Sequence, residues 1–469
     1  MSVPGRVLII GAGPTGLGAA YRLEELGHTD YLVLERGDTP GGLATSVTDA
    51  HGFTWDIGGH VQFSHYAYYD RVIDRAVAAW LTHERESWVW IRGRFVPYPF
   101  QNNLHRLDEA DCRRAIDGLE RASAARESRG VPAHFGEWIA GTFGEGIADL
   151  FLRPYNLKVW GHPLDRIGVG WMGERVAVPD VARIRRNIVT GQDDVSWGPN
   201  RTFRFPLEGG TGAIWRGVSA LLPTARQRFG AEVTAIDDER RTVTLADGEG
   251  LPYDTLVSTM PLDRLCRLAR PFAAAERELA RTLVYSSVHV LGVGLDGPRP
   301  ETLQRKCWMY FPEANSPYYR VTVFSNYSPR NVPAGDCWSL MAEVCESAVK
   351  PVDQSRVARD VVAAMREDGL LRPEARVVSL WHHREEHGYP TPFVGRDDVI
   401  GRLRTALEAR RIFSRGRFGA WKYEVSNQDH SFMQGVELAD RLVLGRDEVT
   451  IDRPDEANSG VFLRQDDRR

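Results

Sequence analysis

The 469-residue chain is 42% hydrophobic and 26% charged with a net charge of −4, which allows two or three compact regions around a sizeable core. That charge argues against a general nucleic-acid surface, and no apolar run approaches the ~20 residues that span a bilayer. Five cysteines, Cys112, Cys266, Cys307, Cys337 and Cys345, lack metal-ligand spacing, and their odd number points to reduced thiols in a cytoplasmic protein. The first strand begins within seven residues of the N-terminus, leaving no room for a targeting peptide.

Four β-forming residues, Val7 to Ile10, run into Gly11, Gly13 and Gly16 at G-x-G-x-x-G spacing, and a helix-forming stretch from Leu17 to Leu26 follows. This is the strand–turn–helix context of a dinucleotide fingerprint: the first glycine permits the turn, the second admits a pyrophosphate, and the third lets helix and strand pack closely. A lone fingerprint also fits an ordinary glycine-rich turn. Here, however, the next strand, Tyr31 to Leu34, ends at Glu35, nineteen residues beyond Gly16, where an acid meets the adenosine ribose. An acid there favours FAD or NAD over NADP. The pair Gly41-Gly42 continues the pattern of glutathione-reductase-like flavoproteins and moves the choice to FAD. A second pair, Gly58-Gly59, precedes His60, and such glycines let backbone lie flat against a large planar ligand.

Trp88 to Phe95 alternates apolar and polar residues and predicts one strand; beyond it, Pro97 and Pro99 exclude a central strand or helix. Helices are predicted over Asp108 to Ser128, over Phe135 to Leu152 and from near Pro179, a helical block inserted into the nucleotide-binding domain. Gly209 to Gly212 opens another helix, reaching about Leu221. Glu232 to Ile236 and Arg241 to Leu245 predict a hairpin, and Thr255 to Thr259 a short buried strand. Val288 to Leu295, Tyr319 to Phe324, Trp338 to Glu343 and Arg376 to Leu380 predict an antiparallel sheet. A helix from about Ser431 to Leu442 precedes a frayed tail, Arg464 to Arg469. The expected architecture is α/β, a Rossmann-like FAD-binding domain with an inserted helical domain and an antiparallel β-sheet domain. Residues 1–80, 201–265 and 401–469 would form the FAD domain, 81–105 a strand and pocket segment, 106–200 the helical insertion, and 266–400 the sheet domain.

Longer strings carry a resemblance. They include D-I-G-G-H-V-Q-F-S-H-Y, V-P-Y-P-F-Q-N-N, R-P-Y-N-L-K-V-W, G-E-R-V-A-V-P-D, W-G-P-N-R-T-F-R-F-P, Y-Y-R-V-T-V-F-S-N-Y-S-P, H-G-Y-P-T-P and G-R-F-G-A-W-K-Y-E-V-S-N-Q-D-H-S-F-M. Along nearly its whole length the chain resembles the UDP-galactopyranose mutases, specifically the larger eukaryotic-type branch. The resemblance implies interconversion of UDP-galactopyranose and UDP-galactofuranose with no net redox change, on FAD that must be reduced. Reduced flavin has an electron-rich N5 that can attack the anomeric carbon as UDP departs, giving a covalent flavin–sugar adduct. It further implies NADPH as the direct reductant.

The same resemblance assigns residues. Arg175 and Arg320 match diphosphate arginines, and Tyr327, Tyr389 and Tyr423 match tyrosines that hold diphosphate and sugar. Of these, Arg175, Arg320, Tyr389 and Tyr423, with His60 beside the flavin, form the expected catalytic set. Tyr98, Phe100, Gln101, Asn156, Trp160 and Tyr310 match a uridine pocket, Arg85 and Asn200 match positions near the sugar and a mobile active-site loop, and Phe63 and Asn427 complete the expected substrate-binding set. Besides the glycines and Glu35, the flavin would contact Gly58, Gly59, Val233, Arg417, Asn427 and Gln428, with Ser431 and Met433 nearby. Without the match, each arginine would read as a surface ion-pair partner and each aromatic as core. No Ser-His-Asp or metal constellation is apparent in the sequence. The chain departs from the branch in a shorter stretch from Tyr327 to Trp338, in Lys422 and Ser426, and in a shorter C-terminus. Two alternatives share the FAD domain: an oxidoreductase of the amine-oxidase or protoporphyrinogen-oxidase type, and a mutase of the same mechanism acting on another nucleotide sugar.

Overall fold

The computed structural model describes residues 5–172, 178–195, 201–270 and 274–459. A five-stranded sheet lies at its centre, every neighbouring pair parallel, in the order Ile412–Ser414, Thr255–Ser258, Val7–Ile10, Tyr31–Leu34, Gln227–Arg228. Val7–Ile10 is buried on both faces, which is why it reads as an unbroken apolar run rather than an alternating one. The helix Pro14–Glu25 starts with proline in its first turn, where the missing N–H costs no hydrogen bond.

Glycines decide how closely this helix docks. A β-carbon on Gly18 would lie 2.3 Å from the Phe432 carbonyl oxygen, and one on Gly435 would lie 2.0 Å from that of Thr15. Only glycines at both crossing points let Pro14–Glu25 pack against the long helix Gln428–Leu444. The contact brings Pro14 and Gln428, at the two helix N-termini, to one cavity.

The predicted hairpin forms from Val233–Asp237 and Thr242–Leu245 and belongs to a four-stranded sheet. The predicted strand Trp88–Phe95 is instead a hairpin, Ser87–Ile91 and Arg94–Pro97, because Arg92 (φ 53°) and Gly93 (φ 71°) turn the chain back. Both strands join a seven-stranded sheet with Tyr285–Asp296, Trp308–Tyr310, Arg320–Thr322, Cys337–Glu346 and Arg376–Pro390. The four runs expected to form an antiparallel sheet pair antiparallel, and Trp308–Tyr310, running parallel to Ser87–Val89, joins the hairpin to them. Pro97 lies at the end of an edge strand, as the missing N–H requires.

The helical block comprises Glu109–Ala124, Phe135–Ile147, Arg153–Trp160 and Val181–Thr190. The helix expected from near Pro179 starts at Val181, with the Asp180 side chain accepting from the Arg183 N–H as its cap. The helix expected to end at Leu152 kinks at Gly144 (φ 74°) and continues through a π-turn into Arg153–Trp160. A β-carbon on Gly144 would meet the Gly118 carbonyl at 2.2 Å, so the kink lets two helices touch through backbone. The helix expected from about Ser431 runs Gln428–Leu444, starting three residues earlier, and two short helices, Val449–Asp452 and Pro454–Ser459, follow it. Among the described residues no helix is long and apolar enough to cross a membrane. The tail Arg464–Arg469 lies outside the described residues.

Candidate active site

One cavity of about 1340 Å³ runs between the parallel sheet, the seven-stranded sheet and the helical block. That exceeds the ~300–1,000 Å³ usual for one drug-sized ligand. Its walls include Gly11, Gly13, Glu35, Gly42, Gly58, Gly59, His60, Val233, Arg417, Asn427 and Gln428 from the expected cofactor set. They also include Phe63, Arg85, Tyr98, Gln101, Asn156, Tyr310, Arg320, Tyr327, Tyr389 and Tyr423 from the expected substrate set. Gly16 and Gly41 stand behind the surface and shape the turns.

The fingerprint glycines serve different purposes. Gly11 has φ 100°, and a β-carbon there would lie 2.1 Å from Thr259 Oγ1; one on Gly16 would lie 1.9 Å from the Gly11 carbonyl oxygen. The fold itself demands these two. Gly13 differs: a β-carbon would meet no atom of its surroundings closer than 3.8 Å, so it would fill cavity space rather than clash with protein. That space adjoins the N-terminus of Pro14–Glu25, where unpaired N–H groups and the helix dipole favour phosphate. Glu35 Oε2 accepts from the Ala12 N–H at 2.8 Å and Oε1 from the Gly37 N–H at 2.9 Å. Each oxygen keeps a lone pair for a ribose hydroxyl while the carboxylate staples the loop. These residues fit the pyrophosphate and ribose of FAD.

His60 lies where Gly58, at φ 108°, turns the chain. Burial lowers its pKa to about 4, assisted by Arg417 and Arg320 against the opposing charge of Glu343, so the imidazole is neutral at pH 7. Its Nδ1 is buried with no protein partner among the described residues, as is Thr322 Oγ1. Two unanswered polar atoms in a cavity wall fit a polar ligand edge.

Arg320 and Glu343 face each other across neighbouring strands. The guanidinium donates through Nε to Glu343 Oε1 at 2.7 Å and through Nη2 to Oε2 at 2.8 Å, so burial does not discharge it: the carboxylate holds its pKa well above the usual value. Tyr389 is pushed up to about 12, chiefly by burial, and burial also raises Tyr319, Tyr327 and Tyr155. All four phenols stay protonated and can donate. Arg417 donates to the Gly388 carbonyl at 3.0 Å and to Ser426 Oγ at 2.9 Å, with its guanidinium carbon 5.0 Å from the Tyr389 ring centroid. Tyr98, Tyr155 and Tyr310 form an aromatic cluster, Tyr310 within 5.3 Å of both other rings, beside the amides of Gln101 and Asn156.

The structure moves two expected pocket residues. Trp160 and Phe100 are 1% and 0% exposed and do not line the cavity. Trp160 supports Tyr389 and Tyr423 from behind, and Phe100 packs on Phe151. Arg175 and Asn200 lie outside the described residues. Ser431 lines the cavity and Met433 does not.

Several wall residues were missed in the sequence. Glu343 left a signal, as the one acid within the apolar run S-L-M-A-E-V-C. Tyr155 stood unremarked inside the R-P-Y-N string. His65 lines the cavity with its Nδ1 2.8 Å from Asp429 Oδ2, and with His430 these residues bring three possible metal-ligand groups within 4.8 Å. Burial raises the Asp429 carboxyl, but His430 and His65 outweigh it and bring it to about 2. An acid at the start of a helix gave no hint of this pairing.

A parallel sheet carrying the glycine fingerprint and its acid, with the return hairpin in a second sheet and a cavity wall of arginine and tyrosine, defines the fold of a flavoprotein. The family model for flavin containing amine oxidoreductase matches residues 14–443. The crystal structure of a reduced UDP-galactopyranose mutase shares 50% identity with this chain, covers 98% of both chains and superimposes with a TM-score of 0.95. A protein described as a protoporphyrinogen oxidase, from Exiguobacterium sp. 255-15, matches at 17% identity over 94% of this chain and 99% of its own, with a TM-score of 0.70. Putrescine oxidase bound to putrescine matches at 14% identity over the same shares, with a TM-score of 0.64. The last two show the fold alone. The chain belongs to the flavin containing amine oxidoreductase family and, within it, to the UDP-galactopyranose mutases.

Proposed function

We propose that the chain interconverts UDP-galactopyranose and UDP-galactofuranose with FAD bound and reduced, and with no net redox change. One observation carries this reading: the cavity that begins at the FAD fingerprint is closed, beside Gly58–Gly59–His60, by a charged Arg320 and phenols that can donate. That wall suits a nucleoside diphosphate.

FAD would lie with its pyrophosphate at Gly13 and its ribose at Glu35, and with Gly58, Gly59, His60, Val233, Arg417, Asn427 and Gln428 around the rest. When bound and reduced, it supplies a nucleophilic ring nitrogen. Arg320 grips the diphosphate and, with Arg175, stabilises the negative charge that grows as UDP leaves the anomeric carbon. Tyr327, Tyr389 and Tyr423 donate to the diphosphate and sugar, assisted by Phe63, Arg85, Asn200 and Asn427. The Tyr98–Tyr155–Tyr310 cluster stacks on uracil, and Gln101 and Asn156 read its edge. His60, neutral and in the cavity wall, offers its unpartnered Nδ1 toward the flavin without carrying charge.

NADPH is the reductant in this reading and shares the substrate cleft, because only one G-x-G-x-x-G of the sequence, Gly11 to Gly16, stands between a predicted strand and a predicted helix. All five cysteines are unpaired, which supports a cytoplasmic setting. The test is anaerobic: the dithionite-reduced holoprotein with UDP-galactofuranose should yield UDP-galactopyranose on a chromatogram, and the oxidised protein none. Flavin-loaded, reduced protein that yields none overturns the reading. Anaerobic NADPH should bleach the flavin band, and an unbleached band would require a separate reductase.

A further inference from the structure

Glu343 is the most heavily engaged carboxylate in the cavity wall. It projects from the strand Cys337–Glu346 and is 2% exposed. Four donors converge on its oxygens. Oε1 accepts from Arg320 Nε at 2.7 Å and from the Gly59 N–H at 3.1 Å; Oε2 accepts from Arg320 Nη2 at 2.8 Å and from the Tyr319 hydroxyl at 2.6 Å. A carboxylate has about four acceptor sites, so this one is saturated by protein and can act on substrate only through its partners. Those partners come from different places. Gly59 is in the loop beside His60, 284 positions away in sequence, while Arg320 is the diphosphate arginine. The Tyr319 hydroxyl also lies 3.4 Å from that of Tyr389.

We infer that Glu343, clamped by Tyr319, is a positioning residue that ties the Gly58–Gly59–His60 loop and Arg320 into one unit. The inference deepens the function proposed above and rests on it. An arginine on a flexible stem loses rotamer freedom when it binds an anion, and the carboxylate fork takes that loss before ligand arrives. The fork uses Nε and Nη2, which leaves Nη1 as the guanidinium nitrogen not engaged by Glu343. Through Gly59, the same carboxylate also sets the backbone against which the flavin would lie. Binding of the diphosphate and the environment of the flavin are therefore coupled at one side chain.

The test uses flavin-loaded full-length protein, UDP as the probe, and two readouts: the UDP dissociation constant and the flavin midpoint potential. Glu343→Gln replaces one acceptor with a donor facing donors. It should weaken UDP at least 10-fold and shift the potential. With Arg320→Lys already in place, Glu343→Gln should change UDP binding less than 2-fold, because its effect runs through the guanidinium, and should still shift the potential through Gly59. Unchanged UDP affinity or an unchanged potential in Glu343→Gln overturns the inference, as does an undiminished UDP effect in the Arg320→Lys background. Where Glu343→Gln does not load flavin, Tyr319→Phe keeps the ion pair and decides by the same two readouts, with a 3- to 10-fold loss of UDP affinity expected. Wild-type protein that fails to turn over UDP-galactofuranose while the coupling holds would sink the proposed function alone.

Discussion

The Trp160 ring stands edge-on to Tyr423 with centroids 4.9 Å apart, and its buried indole N–H has no acceptor among the described residues. Trp160 is therefore a buttress for the tyrosine wall rather than a surface for uracil. Trp160→Phe should lower stability by about 1–3 kcal/mol through the void it opens, while UDP affinity changes less than 3-fold. Denaturant melts and UDP titration check this; a 10-fold loss of affinity without a change in the melt would return Trp160 to the pocket.

Two fingerprint glycines should fail differently when given a methyl group. Gly16→Ala forces a β-carbon within 1.9 Å of backbone and should destabilise the fold by ~1–3 kcal/mol or more. Gly13→Ala has room within the protein and should melt within about 1 kcal/mol of wild type as apoprotein, yet bind FAD at least 10-fold more weakly. Melting curves of the apoproteins and flavin titration distinguish the two. A Gly13→Ala protein that binds FAD normally would show that the space beside it does not receive the pyrophosphate.

Glu437 predicts a pH effect on stability. It accepts from the Thr450 N–H and Oγ1, both at 2.8 Å, but burial, with Glu448 and Asp440 nearby, raises it from 4.5 to about 8. A carboxyl with a raised folded pKa contributes stability fully present below pH 4.5 and lost as pH rises through 8, at no more than about 1.4 kcal/mol per unit. Glu437→Gln mimics the protonated acid, its amide donating to Thr450 Oγ1. The variant should match wild type near pH 5 and exceed it in melting temperature at pH 8 to 9. Parallel curves at both pH values would refute the assignment.

Arg320→Lys keeps the charge but cannot form the two-point fork with Glu343. Turnover of UDP-galactofuranose should fall about 100-fold, the scale of losing one oriented charge-stabilising donor, with flavin content unchanged. Steady-state rates under dithionite check this, and a loss under 3-fold would remove Arg320 from the reacting charge.

Much of the fold was legible because its signals are short-range. Val7–Ile10, Thr255–Ser258 and the hairpin at Val233–Leu245 are marked by apolar runs and turns within a few residues. Where the reading failed, a local rule had two outcomes. Trp88 to Phe95 alternates as one strand would, yet φ values of 53° and 71° at Arg92 and Gly93 fold it into two. Phe135 to Leu152 reads as one helix that ends there, yet the chain goes straight on into Arg153–Trp160, because Pro154 falls in that helix's first turn, where a proline is tolerated. In the site, aromatic character marked Trp160 and Phe100 without saying which side of the wall they face.

By itself the sequence determined the flavin fold and the chemical character of the cavity, because glycine spacing, the acid at Glu35 and the arginine- and tyrosine-rich strings act over short stretches. Only the tertiary structure decided which of those side chains meet. Glu343 holds Gly59 from 284 positions away and grips Arg320 across a strand pair; His65 finds Asp429 at the far end of the chain. No periodicity encodes such meetings. They follow from the folded backbone bringing buried charges together, where each must find a partner or lose its charge.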